Sequence, residues 1–298
     1  MDSPLVSITV TTFQHVKFIA KCLDSLLAQD LGAPYEILIG EDGSTDGTRE
    51  VCINYAEKYP ERIRLFLNSG NNKITIDGSP TGRRNILDLI HAAKGKYIAN
   101  CEGDDFWISQ NKLSAQVAIL EAHPDIAGSY HDTILVDEAG KTQDLFRRNL
   151  RDSMNVDDLV GLWSPFHYTS FMFRKSDDPT GNPIYERVAS FDFLLFIETA
   201  CKGELRKVPE IMSAYRKHEG GVTSTGLHRS QRLHLHRMWM WSYILTTDFG
   251  EKKKIKRLIL EHFGQICAVS SGKKEKLRYL KEYRDRAQGG YKGFSSML

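Results

Sequence analysis

The sequence predicts an α/β fold, a mostly parallel sheet flanked by helices, with a helical C-terminal extension. Two patterns predict it. Up to residue 101, short strand-like runs alternate with stretches of helical spacing, and that alternation marks βαβ units. From residue 227 onward the pattern is helical and basic. The 298 residues suit one domain plus an appendage, divided as 1–226 and 227–298.

Residues 5–12 are rich in β-branched side chains and read as the first strand. Residues 16–29 carry Phe18, Ile19, Cys22, Leu23, Leu26 and Leu27 at helical spacing. A second strand over 35–40 runs into a turn-rich loop, 41–48, and a helix over 47–59. A third strand covers 62–67. The polar, Gly-rich stretch 68–82 reads as a loop, 84–93 as a helix and 96–101 as the fourth strand. Next comes a helix over 111–122, with Leu113, Val117 and Leu120 on one face. Residues 126–136 and 166–173 read as strands, with 141–163 irregular between them. A helix over 190–202, a short strand over 210–216 and a Gly/Ser/Thr loop over 217–226 complete the body. In the extension, Leu258, Ile259, Phe263, Ile266 and Cys267 form one apolar stripe. Leu277, Leu280 and Tyr283 or Arg284 form a weaker one.

Right-handed crossovers between parallel strands put every loop that follows a strand on one edge of the sheet. Thr11-Thr12, Glu41-Asp42 and the segment 102–105 therefore converge on one crevice, at the carboxyl edge where α/β proteins bind ligands. Within that crevice Glu102, Asp104 and Asp105 crowd three carboxylates into four residues, which costs repulsion unless a cation shares the space. Hard divalent cations such as Mg²⁺ or Mn²⁺ take such oxygen ligands together with substrate phosphates. The competing reading is an acidic turn that caps the next helix.

The net charge of +2 hides an asymmetry. Residues 1–225 hold 24 Lys and Arg against 32 Asp and Glu, a net −8, whereas 226–298 hold 16 against 6, a net +10. A basic tail suits an anionic partner: lipid headgroups, nucleic acid or the acidic body itself. The five cysteines are scattered and lack CxxC pairs. That argues against a zinc site or a disulfide framework and fits a reducing cytoplasm. The first residues lack the basic-then-apolar pattern of a signal peptide, and no apolar run approaches the ~20 residues of a spanning helix.

Four segments carry a family likeness. They are VSITVTTF (6–13), YEILIGEDGSTDGT (35–48), AKGKYIA with EGDD and KLSAQ (93–116), and Tyr215-Arg216-Lys217-His218. In this order, over about residues 5–225, the chain resembles the family 2 glycosyltransferases of the GT-A fold, mostly bacterial enzymes of cell-surface polysaccharide assembly. The resemblance implies a Rossmann-like sheet and a nucleotide-sugar donor, a UDP-sugar, with Mn²⁺ or Mg²⁺ on its diphosphate. It also implies a glycan or lipid-linked glycan acceptor. One departure stands out: the family's metal motif usually opens with Asp, and here Glu102 takes that place.

By resemblance, Asp42 accepts a hydrogen bond from the uracil ring; its other reading is a helix N-cap. Thr11 and Thr12 would line the nucleotide or simply end the first strand, Glu41 would line it as well, and Phe13 stacks on the base or fills the core. Arg83 and Arg84 either pair with phosphate or lie on a solvated surface. Glu102 would contact the ribose and Asp104 the metal. Asp105 shares the metal, holds a sugar hydroxyl or caps the helix near 111. Asp192 would be the general base for the acceptor hydroxyl, against a reading as an N-cap; Phe191 stands where the family often has an acidic partner. His218 would touch metal or diphosphate, with the loop 217–226 closing as a lid.

In the extension, Trp239, Met240, Trp241, Tyr243 and Ile244 read as core or as an interfacial anchor, and Lys252 to Arg257 as a solvated face or a patch for anionic lipid. The expectation is a metal-dependent inverting glycosyltransferase, cytoplasmic or peripheral at the inner membrane face. A homo-oligomer stays open, and no nucleic-acid partner is expected. A dehydrogenase would need G-x-G-x-x-G after the first strand, and a sugar-phosphate nucleotidyltransferase a Gly-rich basic loop there; Thr12 to His15 supplies neither. Asp42, Asp104 and Asp192 speak against a non-catalytic nucleotide-sugar or carbohydrate-binding module.

Overall fold

The computed structural model describes residues 3–71, 73–76, 78–162, 164–221, 231–245, 251–270 and 272–288. The first half runs β1 (Val6–Thr12), α1 (Ile19–Leu27), β2 (Tyr35–Glu41), α2 (Thr48–Lys58), β3 (Ile63–Leu67), β4 (Ile74–Ile76), β5 (Ser79–Thr81), α3 (Arg83–Ala92), β6 (Tyr97–Glu102), β7 (Phe106–Trp107) and α4 (Lys112–Ala122). The second half runs β8 (Ile126–Val136), β9 (Thr142–Leu145), β10 (Ser153–Met154), α5 (Val156–Leu159), β11 (Met172–Arg174), α6 (Phe191–Ala200), β12 (Glu204–Arg216), α7 (Gln231–Leu245), α8 (Lys252–Val269) and α9 (Lys273–Gln288).

The main sheet has the order β10-β12-β8-β11-β6-β1-β2-β3. β1 pairs in parallel with both β2 and β6, and β2 with β3. β11 is antiparallel to both its neighbours, β6 and β8, so β8 and its parallel partner β12 run the same way as β1. The carboxyl ends of β1, β2, β6, β8 and β12 therefore share one edge. β1 also lies where the chain order reverses, which opens a crevice between β1 and β6.

Alternation along the strands feeds two cores. On one face Val6, Ile8 and Val10 meet Leu23 of α1 and Leu113 of α4. On the other, Ile98 and Tyr130 meet α3, α6 and the C-terminal helices. α6 is apolar nearly all round, because it lies between sheet and helices; nine of its ten residues are buried.

Four expectations change. The stretch 68–82 contains the β4–β5 hairpin. Residues 141–163 contain β9, β10 and α5, the last capped reciprocally by Asn155 and Asp158. The strand expected over 166–173 splits into a 3₁₀ turn, Tyr168–Ser170, and the short β11. The strand expected over 210–216 starts six residues earlier, at Glu204. Its register shifts between Val208 and Ile211, around Pro209, which cannot donate to the ladder.

In the extension, Trp239, Met240, Trp241 and Ile244 are buried in the core shared with α6, which is the packing reading rather than the interfacial one. Ile255, Ile259 and Ile266 turn inward, with Leu258 and Phe263 packed beside them. On α9 the buried residues are Tyr279 and Tyr283, while Leu277 is exposed, so the stripe expected through Leu277 is displaced. The 226/227 boundary and half of the loop 217–226, residues 222–226, lie outside the described residues. No described helix is long and apolar enough to cross a membrane.

Candidate active site

The acidic motif hangs off the end of β6. Its middle residue has to be glycine: a Cβ on Gly103 would fall 2.6 Å from Thr12 Oγ1 and 3.0 Å from His15 Nδ1. The end of β1 thus lies directly over the motif, and the Gly103 N–H donates to the Thr11 carbonyl at 2.9 Å. Thr12 Oγ1 and His15 Nδ1 share a hydrogen bond of 3.3 Å.

β12 delivers the third wall. His218 follows its end, and His218 Nε2 lies 3.0 Å from Asp104 Oδ2 across 114 positions of sequence. His15 Nε2 lies 3.7 Å from the same oxygen. Burial acts to raise the Asp104 carboxyl, but the hydrogen bond to His218 and the charge of His15 outweigh it and hold Asp104 below its ordinary range. Burial pushes the His15 imidazole down, against the pull of Asp104. The ligand atoms of His15, Asp104 and His218 all lie within 4.8 Å of one another. Two ligands at right angles, about 2.1 Å from one cation, stand about 3 Å apart, so Asp104 and His218 fit a shared divalent ion.

Asp105 faces the other way. Its Oδ1 accepts from the Arg216 N–H at 2.9 Å and its Oδ2 from Thr169 Oγ1 at 2.7 Å. It is fully buried, and burial followed by the charges of Asp104 and Glu102 pushes its carboxyl well above the usual range. Neither the sugar contact nor the α4 cap expected of Asp105 fits this placement. Glu102 is pushed up to about 8, first by burial and then by the charges of Asp104 and Asp192. Asp192 lies in the first turn of α6, close enough for its charge to act on Glu102.

Other expected contacts serve the fold. The buried Glu41 carboxylate accepts from the Ser44 N–H and pairs with Arg49. Arg83 is 5% exposed and donates to the carbonyls of Tyr185, Val188 and Ala189, so the phosphate contact expected of it goes instead to the loop before α6. Arg84 pairs with Glu186 at 3.3 Å. Arg216 donates to the Asp104 carbonyl at 3.0 Å and to the carbonyls of Asp137 and Glu138. Asp42 and Phe13 sit together at the β1–β2 side. Lys73 links them, 3.2 Å from Asp42 Oδ2 and 4.1 Å from the Phe13 ring centre.

Residues 7–179 match the family described as glycosyl transferase family 2. The chain belongs to that family. The uncharacterized protein Rv1520 of Mycobacterium tuberculosis is 30% identical over 218 residues, 73% of this chain. This chain spans about 60% of that relative's length. Among solved structures, S. aureus TarS in complex with UDP-GlcNAc matches at TM-score 0.67 and 17% identity, over 93% of this chain and 80% of that one. The mannosyltransferase PcManGT of Pyrobaculum calidifontis, in complex with GDP-Man and Mn²⁺, matches at 0.60 and 15% identity, over 97% and 81%. At such identities these likenesses establish the GT-A architecture of this family 2 chain.

Sequence reasoning did not single out His15, Lys73 or Thr169. His15 carried a usable signal, a histidine three residues past the end of a strand predicted to feed the crevice. Lys73 and Thr169 carried none, because their roles come from a hairpin and a 3₁₀ turn that the pattern concealed. A separate cavity of 340 Å³, lined by Asp178, Glu198 and Tyr243 among others, does not include the acidic motif.

Proposed function

We propose that this chain transfers a sugar from a nucleotide-sugar donor, a UDP-sugar, to a hydroxyl of a glycan acceptor, with inversion at the anomeric carbon. The observation that carries the reading is the 3.0 Å approach of His218 to Asp104, which joins the motif after β6 to the segment after β12. Asp104 and His218 would hold a divalent cation, Mn²⁺ or Mg²⁺. Such an ion neutralises the charge that builds on the departing nucleoside diphosphate.

The protein's own groups divide the remaining work. Asp42 and Phe13 lie on the side of β1 and β2 and would receive the base, one by a hydrogen bond and one by stacking. Glu102 ends β6, close enough to Asp192 to feel its charge, and would contact the ribose. Asp192 would take the proton of the acceptor hydroxyl as that oxygen attacks from the face opposite the diphosphate. Arg83 holds the loop that leads into α6, and would so help to orient Asp192.

The choice of UDP rests on the likeness of 35–48 to the family pattern. The fold neighbours were solved with UDP-GlcNAc and with GDP-Man. The test is therefore a thermal-shift panel of UDP- and GDP-sugars with and without Mn²⁺. A cation-dependent rise in melting temperature with a UDP-sugar supports the reading, and a response confined to GDP-sugars rejects the UDP assignment. No response to any donor, with or without cation, rejects the reading as a whole.

A further inference from the structure

We infer that His15 is a third protein ligand of the cation held by Asp104 and His218, and that this donor set of two imidazoles and one carboxylate favours a first-row transition ion such as Mn²⁺ over Mg²⁺. The inference rests on the proposed metal role of Asp104 and His218 and adds to it a residue and a selectivity. His15 Nε2 is 3.7 Å from Asp104 Oδ2, and all three ligand atoms fall within 4.8 Å. The His15 and His218 rings meet edge to face with centres 6.0 Å apart, so their nitrogens approach one space from two directions.

The seat of His15 is built. Thr12 Oγ1 stands 3.3 Å from His15 Nδ1. When the Nδ1–H donates to that hydroxyl, the tautomer is fixed and the Nε2 lone pair is left toward Asp104, as outer hydrogen bonds commonly do for ligating histidines. The ring rests over Gly103, where any side chain would collide with Thr12 and approach His15 to 3.0 Å. The backbone of the next turn is pinned as well: the His15 N–H donates to Thr48 Oγ1 at 2.8 Å and the Val16 N–H to Asp46 Oδ2 at 3.0 Å. The middle residue of the acidic motif is thus small because Thr12, at the end of β1, and His15, three residues on, both sit on it.

Chemistry supplies the selectivity. Mg²⁺ takes oxygen ligands and gives up water reluctantly, whereas imidazole nitrogen suits transition ions. Asp104 alone would leave the site open to either ion. Two imidazoles shift it toward the transition series, and removing one shifts it back.

The experiment follows free Mn²⁺ by electron paramagnetic resonance during titration of the purified full chain without nucleotide, then adds Mg²⁺ as competitor. The expected result is Mn²⁺ binding that a tenfold excess of Mg²⁺ does not reverse. His15→Ala should weaken Mn²⁺ binding about tenfold or more and narrow the preference over Mg²⁺. Thr12→Val keeps the side-chain shape and should weaken Mn²⁺ binding by about 10–100-fold through loss of the hydrogen bond that orients His15. It decides the matter should His15→Ala fail to fold. Wild-type Mn²⁺ affinity in folded His15→Ala, or in Thr12→Val where His15→Ala fails, overturns the role of His15. Displacement by equimolar Mg²⁺ overturns the selectivity. If Asp104→Ala and His218→Ala also bind Mn²⁺ like wild type, the metal site itself is misplaced, which is a separate failure.

Discussion

Arg216 and Asp105 are joined by a hydrogen bond of 2.9 Å, from the backbone N–H of the one to Oδ1 of the other. This bond ties the acidic motif to the end of β12, two residues before His218. Asp105, expected to share the metal, hold a sugar hydroxyl or cap the helix near 111, registers the two halves of the site.

Asp105→Ala leaves the Arg216 N–H and the Thr169 hydroxyl without their partner. Stranding buried polar groups costs about 1–3 kcal/mol. In a protein of this size that corresponds to a fall of roughly 2–12 °C in melting temperature. Asp105→Asn offers one acceptor and one donor, and Thr169 Oγ1 can accept, so its fall should be less than half as large. Calorimetry of both variants checks this; equal losses would mean that the charge, and not the pair of hydrogen bonds, is what matters.

Asp192→Asn should cut transfer by about 10²–10⁴-fold, the usual contribution of a general base. Donor affinity should stay within about twofold, because a general base would act on the acceptor. A parallel loss of donor binding would place Asp192 among the donor contacts.

Much of this arrangement was legible beforehand. The regular spacing of β1, α1, β2 and β6 announced the parallel sheet, and that sheet placed Thr12, Asp42 and Asp104 along one edge. Orientation at that edge was not legible. Glu41, Asp105 and Arg83 look like ligand contacts in a string of letters. Which way each side chain turns depends on Arg49, Thr169 and the Tyr185 carbonyl, distant in sequence. β11 was blurred for a related reason: it is three residues long and is defined by its two neighbours rather than by a pattern of its own.

Lys112 gives a prediction about pH. It is fully buried, donates to Gln116 Oε1 at 2.7 Å and lies 3.9 Å from the centre of the Trp107 ring. Burial pushes its ammonium down to about 7, with the nearby Cys101 thiol acting in the opposite sense. The unfolded chain, with an ordinary lysine value near 10.5, binds more protons than the folded one between those two values. Stability attributable to this group therefore rises with pH from about 7 to about 10.5 and is lowest below 7. Lys112→Met should flatten the slope of melting temperature against pH over that window. An unchanged slope would show that Lys112 stays charged when folded.

Lys252, Lys253, Lys254 and Lys256 are exposed on α8. If the basic extension docks on an anionic surface, each contributes about 1 kcal/mol at low salt. Reversing all four to Glu should abolish sedimentation with anionic liposomes while leaving the fold intact by circular dichroism. Wild-type protein that ignores such liposomes at low salt rules out the membrane role.

The central claim is that Asp104 and His218 serve a nucleotide-sugar transferase. It is tested most directly by measuring nucleoside diphosphate release from a bound nucleotide sugar, with Mn²⁺ and with chelator, in wild type and in Asp104→Ala. The account predicts release in wild type with Mn²⁺, none with chelator, and a loss of at least about 10²-fold in Asp104→Ala. Equal release from Asp104→Ala, or release that chelation leaves unchanged, would contradict it.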